Sequence, residues 1–145
     1  MKLQTASETI SFIKELEEKA ATFYEELSKR YPEKAGDFLS FAKENRKYIK
    51  QVQMAYQSVI TDAIEGCYAF NLESEEFSFD TNLPENATLA EAAQKALQIE
   101  GKIINCYSIG VEQSGALLAD IPRNFKIVVK KRNNRLHRLK SFAGR

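Results

Sequence analysis

Apolar residues recur every three or four positions along four long segments of the chain, which is the spacing of amphipathic helices. The first predicted helix runs from about Ser7, its N-cap, to Arg30. It ends there because the proline at position 32 disfavours helical geometry in the residue before it, and the second helix continues to about Glu65, before Gly66. The residues expected to point inward are Ile10, Ile13, Leu16, Ala20, Phe23, Tyr24 and Leu27 in the first helix and Phe38, Phe41, Tyr48, Val52, Ala55, Tyr56, Val59 and Ala63 in the second.

Two further helices are predicted in the second half of the chain. Thr88 is the N-cap of the third helix, and Glu91, three residues later, completes a capping box. That helix runs to about Ala119, and the fourth runs from its cap, Asp120, to about Phe142. Their inward residues are expected to be Leu89, Ala93, Ala96, Ile103, Tyr107 and Val111 in the third helix and Phe125, Val128, Val129, Leu136 and Leu139 in the fourth.

Residues 67–87 have no helical period, and they carry aromatic residues at Phe70, Phe77 and Phe79. A connection of this length in a small domain suits a crossover between two parallel helices of a bundle. We expect the three phenylalanines to hold the segment against the outside of the helices. The predicted fold is therefore all-α: a single domain over residues 1–145, forming an up-down-down-up four-helix bundle with a long crossover between helices two and three.

The composition agrees with a globular helical domain. The 145 residues include 3 prolines and 6 glycines, and 28% are charged. No apolar run approaches the roughly 18 residues that span a membrane, and the N-terminus lacks the apolar core of a signal peptide, so we expect a cytoplasmic protein with no membrane partner. The two cysteines, Cys67 and Cys106, form no CxxC motif, and we interpret them as buried thiols.

Charged residues on the apolar stripes are the main anomaly of the sequence, because a charge there is costly unless it binds a metal or an opposite charge. Glu17 and Glu100 occupy equivalent places on the first and third helices, each seven residues before a tyrosine, Tyr24 and Tyr107. The other four form two pairs with i, i+3 spacing, which puts both members of a pair on one helical face. The complete set is Glu17, Glu44, Lys47, Glu100, Arg132 and Arg135.

The spacing of these charges matches a known arrangement of metal ligands. A two-metal carboxylate site in a bundle takes one Glu from each of two helices and a Glu-x-x-His pair from each of the other two. Glu17 and Glu100 supply the first kind of ligand. Where Glu-x-x-His is required, the second helix has Glu44-Asn45-Arg46-Lys47 and the fourth has Arg132-Asn133-Asn134-Arg135. Cations therefore stand at half of the ligand positions.

With these residues in place, the chain resembles the ferritin-like superfamily, and within it the rubrerythrin-like domains, over about residues 8–142. The segments that carry the resemblance are ELEEKAATFYEEL at 15–27, FLSFAKENRKYIKQ at 38–51, AAQKALQIEGKIINCYSIG at 92–110 and KIVVKKRNNRLHRLKSF at 126–142. The resemblance implies a closed four-helix bundle, often dimeric, that uses two irons to reduce peroxide or to oxidise substrates.

The resemblance also implies roles for the six charged positions. Glu17, Glu44 and Glu100 match the metal-binding carboxylates of the family. Lys47 and Arg135 stand where its histidines would be. Arg132 stands where its fourth glutamate would be.

The balance of charge argues against a bound metal, because three carboxylates and three cations already sum to zero. Arginine does not give up its proton to become a ligand. We therefore expect a salt-bridge network in place of the metal centre, no cofactor, and a non-catalytic protein that acts by homodimerisation or by binding another protein. In one alternative, the cations extend to solvent and only the glutamates lie inside. In the other, the chain is a diiron oxidoreductase that binds iron through Glu17, Glu44 and Glu100, with atypical ligands such as Gln51 or Glu18.

The last predicted helix is strongly basic, since residues 123–145 carry nine Lys or Arg and no acid. One interpretation is a nucleic acid or other polyanion as partner. The other, which the net charge of +1 favours, is that this helix faces acidic neighbours in the bundle or in a second subunit. His137, the only histidine, lies off the apolar stripe, so we expect it to be exposed. The candidate polyanion contacts are Lys126, Lys130, Lys131, Arg138 and Lys140.

Overall fold

The computed structural model describes residues 1–59, 70–114 and 120–144. Four long helices dominate these ranges: α1 (Ala6–Arg30), α2 (Ala35–Val59), α3 (Leu89–Ser114) and α4 (Asp120–Phe142). Two strands of two residues each, β1 (Lys2–Leu3) and β2 (Leu72–Glu73), form a small antiparallel sheet in which Leu3 pairs with Leu72. The described structure is therefore all-helical apart from this minor sheet.

The helix starts follow their capping chemistry. The N-cap of α1 is Thr5, whose hydroxyl accepts the Glu8 N–H at 3.1 Å while the Glu8 carboxylate accepts the Thr5 N–H at 3.1 Å. The prediction of Ser7 as N-cap is therefore wrong, because this capping box satisfies the first backbone donors two residues earlier. The predicted box at α3 is confirmed: the Thr88 hydroxyl accepts the Glu91 N–H at 3.1 Å, and the Glu91 carboxylate accepts the Thr88 N–H at 3.1 Å.

Some of the other predicted helix ends lie within the described residues and the rest lie outside them. The α1 helix ends at Arg30, and Pro32 begins a short 3-10 turn, Pro32–Lys34, that leads into α2. The predicted end of the second helix near Glu65 and Gly66 lies outside the described residues. The predicted end of the third helix at Ala119 also lies outside the described residues. Asp120, the predicted cap of the fourth helix, is the first described residue of α4, and the residues just before it lie outside the described ranges.

The helices pack as two hairpins whose inner faces share one core. The α1 helix packs mainly on α2 and α3 mainly on α4, while α2 also contacts α4. Aromatic rings fill the end of the core near the α1–α2 turn, where the Tyr24 ring lies 5.3 Å from that of Phe41 and the Phe38 ring lies 5.8 Å from that of Phe142. At the other end, the Tyr107 ring meets that of Phe125 edge-on at 5.0 Å.

The segment between α2 and α3 runs against the outside of the helices over its described residues. Phe70 and Phe77 are buried, and Phe79 is partly buried against the core, as their spacing predicts. Backbone bonds hold the segment to the N-terminus, since the Phe70 N–H donates to Gln4 O at 2.9 Å. Further on, the Tyr31 hydroxyl donates to Ala87 O at 2.6 Å. The small sheet adds a long-range contact that no local pattern in the sequence indicates.

Within the described ranges, no helix combines the length and the apolar character that crossing a membrane requires.

Candidate functional site

Four of the six anomalous charges meet at the centre of the bundle. Glu17 projects from α1, Glu100 from α3, and Arg132 and Arg135 from α4, and each of the four residues is buried. Arg132 is among the largest fully buried side chains of the protein. A residue of this kind is almost never fully buried unless it is paired. The spacing of all four residues predicts this burial.

The guanidinium of Arg132 joins the two glutamates. Its Nη1 donates to Glu100 Oε2 at 3.1 Å, and its Nη2 donates to Glu17 Oε1 in a direct ion pair. None of the three side chains has exposed surface. The guanidinium therefore lies between the carboxylates of the first and third helices.

Arg135 makes a second set of contacts one turn along α4. Its Nη1 donates to Glu100 Oε1 at 3.3 Å and to Asn45 Oδ1 at 2.6 Å, and its Nη2 donates to Phe41 O at 3.2 Å. Asn45 is fully buried, and its amide also lies 3.5 Å from Glu17 O. Asn45 therefore ties α2 into the network, and it is the residue that the sequence analysis missed.

The predicted inward face of α2 is confirmed for its buried aromatic residues, but the prediction for its two charged residues is wrong. Lys47 is exposed and makes no ion pair with any residue in the described ranges, so its predicted inward position is wrong. Glu44 lies at the rim with 42% of its side chain exposed, and its ion pair among the described residues is a 3.5 Å contact with Arg135. The physical reason is that Asn45 and Tyr48 occupy the inward i, i+3 pair and turn the preceding residue of each toward solvent.

A sequence signal for Asn45 does exist. It lies seven residues after Phe38 and seven before Val52, and both of these are fully buried. Seven residues are close to two helical turns, so all three side chains lie along one line of the helix. The three- and four-residue spacings to aromatic neighbours fit Glu44 as well as Asn45, so they do not show which of the two residues faces the core.

Aromatic rings surround both guanidiniums. The Arg135 Cζ lies 4.8 Å from the centroid of the Phe41 ring and 5.4 Å from that of Tyr24. The Arg132 Cζ lies 5.4 Å from the centroid of Tyr48. The Tyr107 hydroxyl donates to Glu17 Oε2 at 2.6 Å, so both carboxylate oxygens of Glu17 accept a hydrogen bond. The rings exclude water and add cation–π attraction to the ion pairs.

The pKa values of the network follow from burial and pairing. Burial raises the pKa of the Glu17 carboxyl, and Arg132 and the Tyr107 hydrogen bond lower it by less. Burial by itself lowers the pKa of Arg132, but Glu100 and Glu17 together outweigh it, so the pKa of Arg132 lies above its usual range. The pKa of Arg135 is raised in the same way, chiefly by Glu100 against burial. Both guanidiniums therefore stay charged.

The two tyrosines predicted to flank the site are core residues. Tyr24 and Tyr107 are fully buried, and burial raises the pKa of each hydroxyl, with the nearby glutamates raising it further. Both therefore remain protonated hydrogen-bond donors. Tyr107 uses its proton to bind Glu17, whereas Tyr24 stacks against the aromatic end of the core.

The residues at the centre do not fit a two-metal centre. Such a site needs four carboxylates and two imidazoles directed inward from four helices. Here Glu17 and Glu100 are the only carboxylates of the buried set, and the inward positions on α2 and α4 hold Asn45, Tyr48, Arg132 and Arg135. A guanidinium offers donors and no lone pair to a metal. Nowhere in the described parts of the chain do three His, Cys, Asp or Glu side chains come together as candidate metal ligands.

The other candidate residues lie away from this centre. Glu18, an alternative ligand, forms a surface ion pair with Arg46 at 3.0 Å. Gln51, the other alternative, is half-buried on α2. His137 is exposed on α4. Cys106 is buried, and burial raises the pKa of its thiol to about 12, whereas Cys67 lies outside the described residues.

No family model, curated protein or solved structure matches this chain.

Proposed function

We propose that this chain is a ferritin-like four-helix bundle in which a buried Glu–Arg network replaces the diiron centre. In this proposal the protein binds no iron and is not a redox enzyme. It acts through its surface, by homodimerisation or by binding another protein. The observation that carries the proposal is the position of the Arg132 guanidinium, which lies between the carboxylates of Glu17 and Glu100.

The charge balance of the buried set supports this proposal. Two carboxylates, Glu17 and Glu100, lie opposite two guanidiniums, Arg132 and Arg135, so the formal charges sum to zero. A divalent metal added to this set would leave excess positive charge in a medium of low dielectric constant. These four buried charges are fewer than the six on the apolar stripes of the sequence, but both sets have a net charge of zero.

The finer topology is part of the same proposal. Pairing of α1 with α2 and of α3 with α4, with a long segment between the pairs, is consistent with an up-down-down-up bundle. In this topology the family's Glu-x-x-His positions correspond to Asn45 and Tyr48 on α2, and to Arg132 and Arg135 on α4.

The metal content of the purified protein tests the proposal. Protein from cells grown with added iron should carry far less than one iron per chain when measured by elemental analysis. A content of about two irons per chain, with a peroxide-sensitive visible absorption band, would instead support a diiron oxidoreductase. The matched positive control is the variant Asn45→Glu, Tyr48→His, Arg132→Glu and Arg135→His, which restores the family's ligands at the inward positions and should gain iron.

The proposed surface contact has its own test. Large apolar side chains are exposed on the outer faces of two helices: Leu39 and Met54 on α2 and Ile127 on α4. If a second copy of the chain covers these side chains, light scattering over a range of concentrations should reveal a dimer, and Leu39→Glu should weaken it. If the protein stays monomeric at every concentration, homodimerisation is ruled out and binding of a different protein is the function that the proposal retains.

A further inference from the structure

A cleft of about 340 Å³ opens between α2 and α4, beside the buried network. Its walls carry Glu44, Lys47 and Tyr48 from α2 and Lys131, Arg135 and Arg138 from α4. The volume is at the lower end of the range for small-molecule sites in proteins. On α2, Asn45 and Tyr48 face the core, so Lys47 lies at the rim of the cleft rather than in the core.

The cleft carries more positive charge than its partners neutralise. Arg138 pairs with Asp37 at 3.1 Å, and Arg135 pairs with Glu100 and Glu44. Lys47 and Lys131 form no ion pair within the described ranges of the chain. Four cations thus meet three carboxylates, which leaves a net charge of +1 at the cleft. An anion would remove this excess.

Hydrogen-bond donors also exceed acceptors at this place. The Tyr48 hydroxyl is buried and has no hydrogen-bond partner among the described residues, and the same is true of Arg135 Nε. Burial raises the pKa of Tyr48 to about 12, so its hydroxyl keeps a proton to donate. Lysine and arginine offer donors and no acceptors. A buried donor without a partner costs free energy, and a small side-chain shift toward a ligand with acceptor oxygens would recover it.

We propose that this cleft binds a small phosphate-bearing anion, either free phosphate or a phosphomonoester, with Lys47 and Lys131 as its principal charge contacts. A tetrahedral anion with several acceptor oxygens matches donors that converge from two helices. Tyr48 and Arg135 also line the cleft, and Arg135 connects it to the buried network through Glu100. The site does not depend on iron binding, so its test is independent of the metal content.

Phosphate binding measured by calorimetry and by phosphorus NMR at constant ionic strength tests the proposal. The wild-type chain should bind inorganic phosphate with saturation. Lys131→Gln and Lys47→Gln should each weaken phosphate binding by about five- to tenfold. The matched controls are Lys130→Gln on α4 and Lys50→Gln on α2, two exposed lysines outside the cleft, which should change the dissociation constant by less than about twofold.

Further ligands separate the possible sources of the anion. Tighter binding of phenyl phosphate than of inorganic phosphate would assign the site to a phosphomonoester, and equal binding would assign it to free phosphate. Three results would overturn the proposal: no saturable binding of phosphate by the wild-type chain, acetate binding as tightly as phosphate, or equal losses in all four lysine variants. The last result, together with retention of a DNA duplex at low salt, would describe a general basic surface of α2 and α4 rather than a cleft.

Discussion

The Nη1 atom of Arg132 donates to Oε2 of Glu100 at 3.1 Å, and neither side chain has any exposed surface. Thirty-two residues separate the two along the chain, so the contact ties α4 to α3 at the middle of the bundle. The same guanidinium binds Glu17 from α1, so Arg132 connects the two buried carboxylates of the network across both hairpins. Loss of this cation would leave two buried carboxylates without their main partner.

Replacement of Arg132 by methionine should therefore lower the free energy of unfolding by about 3–5 kcal/mol, the cost of an uncompensated buried charge. Urea denaturation measures this loss. Arg123→Gln is the control, because Arg123 is 74% exposed on the same helix and lies 3.7 Å from Asp120. The control should change stability by less than about 0.5 kcal/mol. A loss of under about 1 kcal/mol for Arg132→Met would contradict the buried network.

A comparison of two neighbouring residues tests the register of α2. Asn45→Ala should cost about 2–3 kcal/mol, because it removes the 2.6 Å bond to the buried charge of Arg135. Glu44→Ala should cost less than about 1 kcal/mol, because Glu44 is 42% exposed and its contact with Arg135 is 3.5 Å long. Urea denaturation of both variants gives the order directly, and the reverse order would restore the register predicted from sequence.

Helical spacing alone is enough to identify most of the network. Glu17, Glu100, Arg132 and Arg135 each lie at three- and four-residue steps from apolar neighbours, so their burial could be predicted from the sequence alone. A buried charge also requires an opposite charge or a metal, so contacts among these four residues could be expected. The capping box of α3 was predictable for the same reason, because its chemistry is local.

The parts that could not be predicted depend on ambiguous or distant information. Glu44 and Asn45 both lie within one turn of Phe41 and Tyr48, so the local spacing fits either residue on the inward face. The longer, seven-residue spacings favour Asn45, and its contact with Arg135 of α4 holds it on the inward face. The pairing of β1 with β2 joins residues about seventy positions apart through two residues each, and a pair that short leaves no periodic pattern in the sequence.

The pH dependence of stability should reveal the buried carboxyl of Glu17. Its pKa is raised above the ordinary value of 4.5, so the folded chain binds more protons than the unfolded chain in the interval above 4.5. This contribution to stability is fully present below 4.5 and is lost as the pH rises through the raised pKa. The stability of the wild type minus that of Glu17→Gln should therefore fall with rising pH.

Denaturation of the two proteins across a pH series measures that difference. Tyr107→Phe supplies a second check, because it removes the 2.6 Å hydrogen bond that lowers the pKa of Glu17. The pKa should then rise further, and the interval over which stability falls should extend to higher pH. A constant difference would show that Glu17 titrates as an exposed carboxyl does, and a difference that increases with pH would show that its ion pair lowers the pKa; either result contradicts the prediction.

Two glycines on α3 should respond oppositely to alanine. A Cβ at Gly110 would lie 2.8 Å from Cε2 of Phe125 on α4, so Gly110→Ala should push the helices apart and cost about 1–3 kcal/mol. A Cβ at Gly101 meets nothing within 4 Å, so Gly101→Ala should raise stability by about 0.5–1 kcal/mol through helix propensity. Thermal denaturation of both variants checks the prediction. A stabilising Gly110→Ala would contradict the close packing of α3 on α4.

The most direct test of the proposal that the Glu–Arg network replaces a metal centre is a crystal structure of the wild-type chain grown with excess ferrous iron, with anomalous data collected at the iron absorption edge. We expect no anomalous peak between Glu17 and Glu100 and continuous density for the Arg132 guanidinium in contact with both carboxylates. An anomalous peak bound by these carboxylates, with Arg132 turned away, would contradict the proposal.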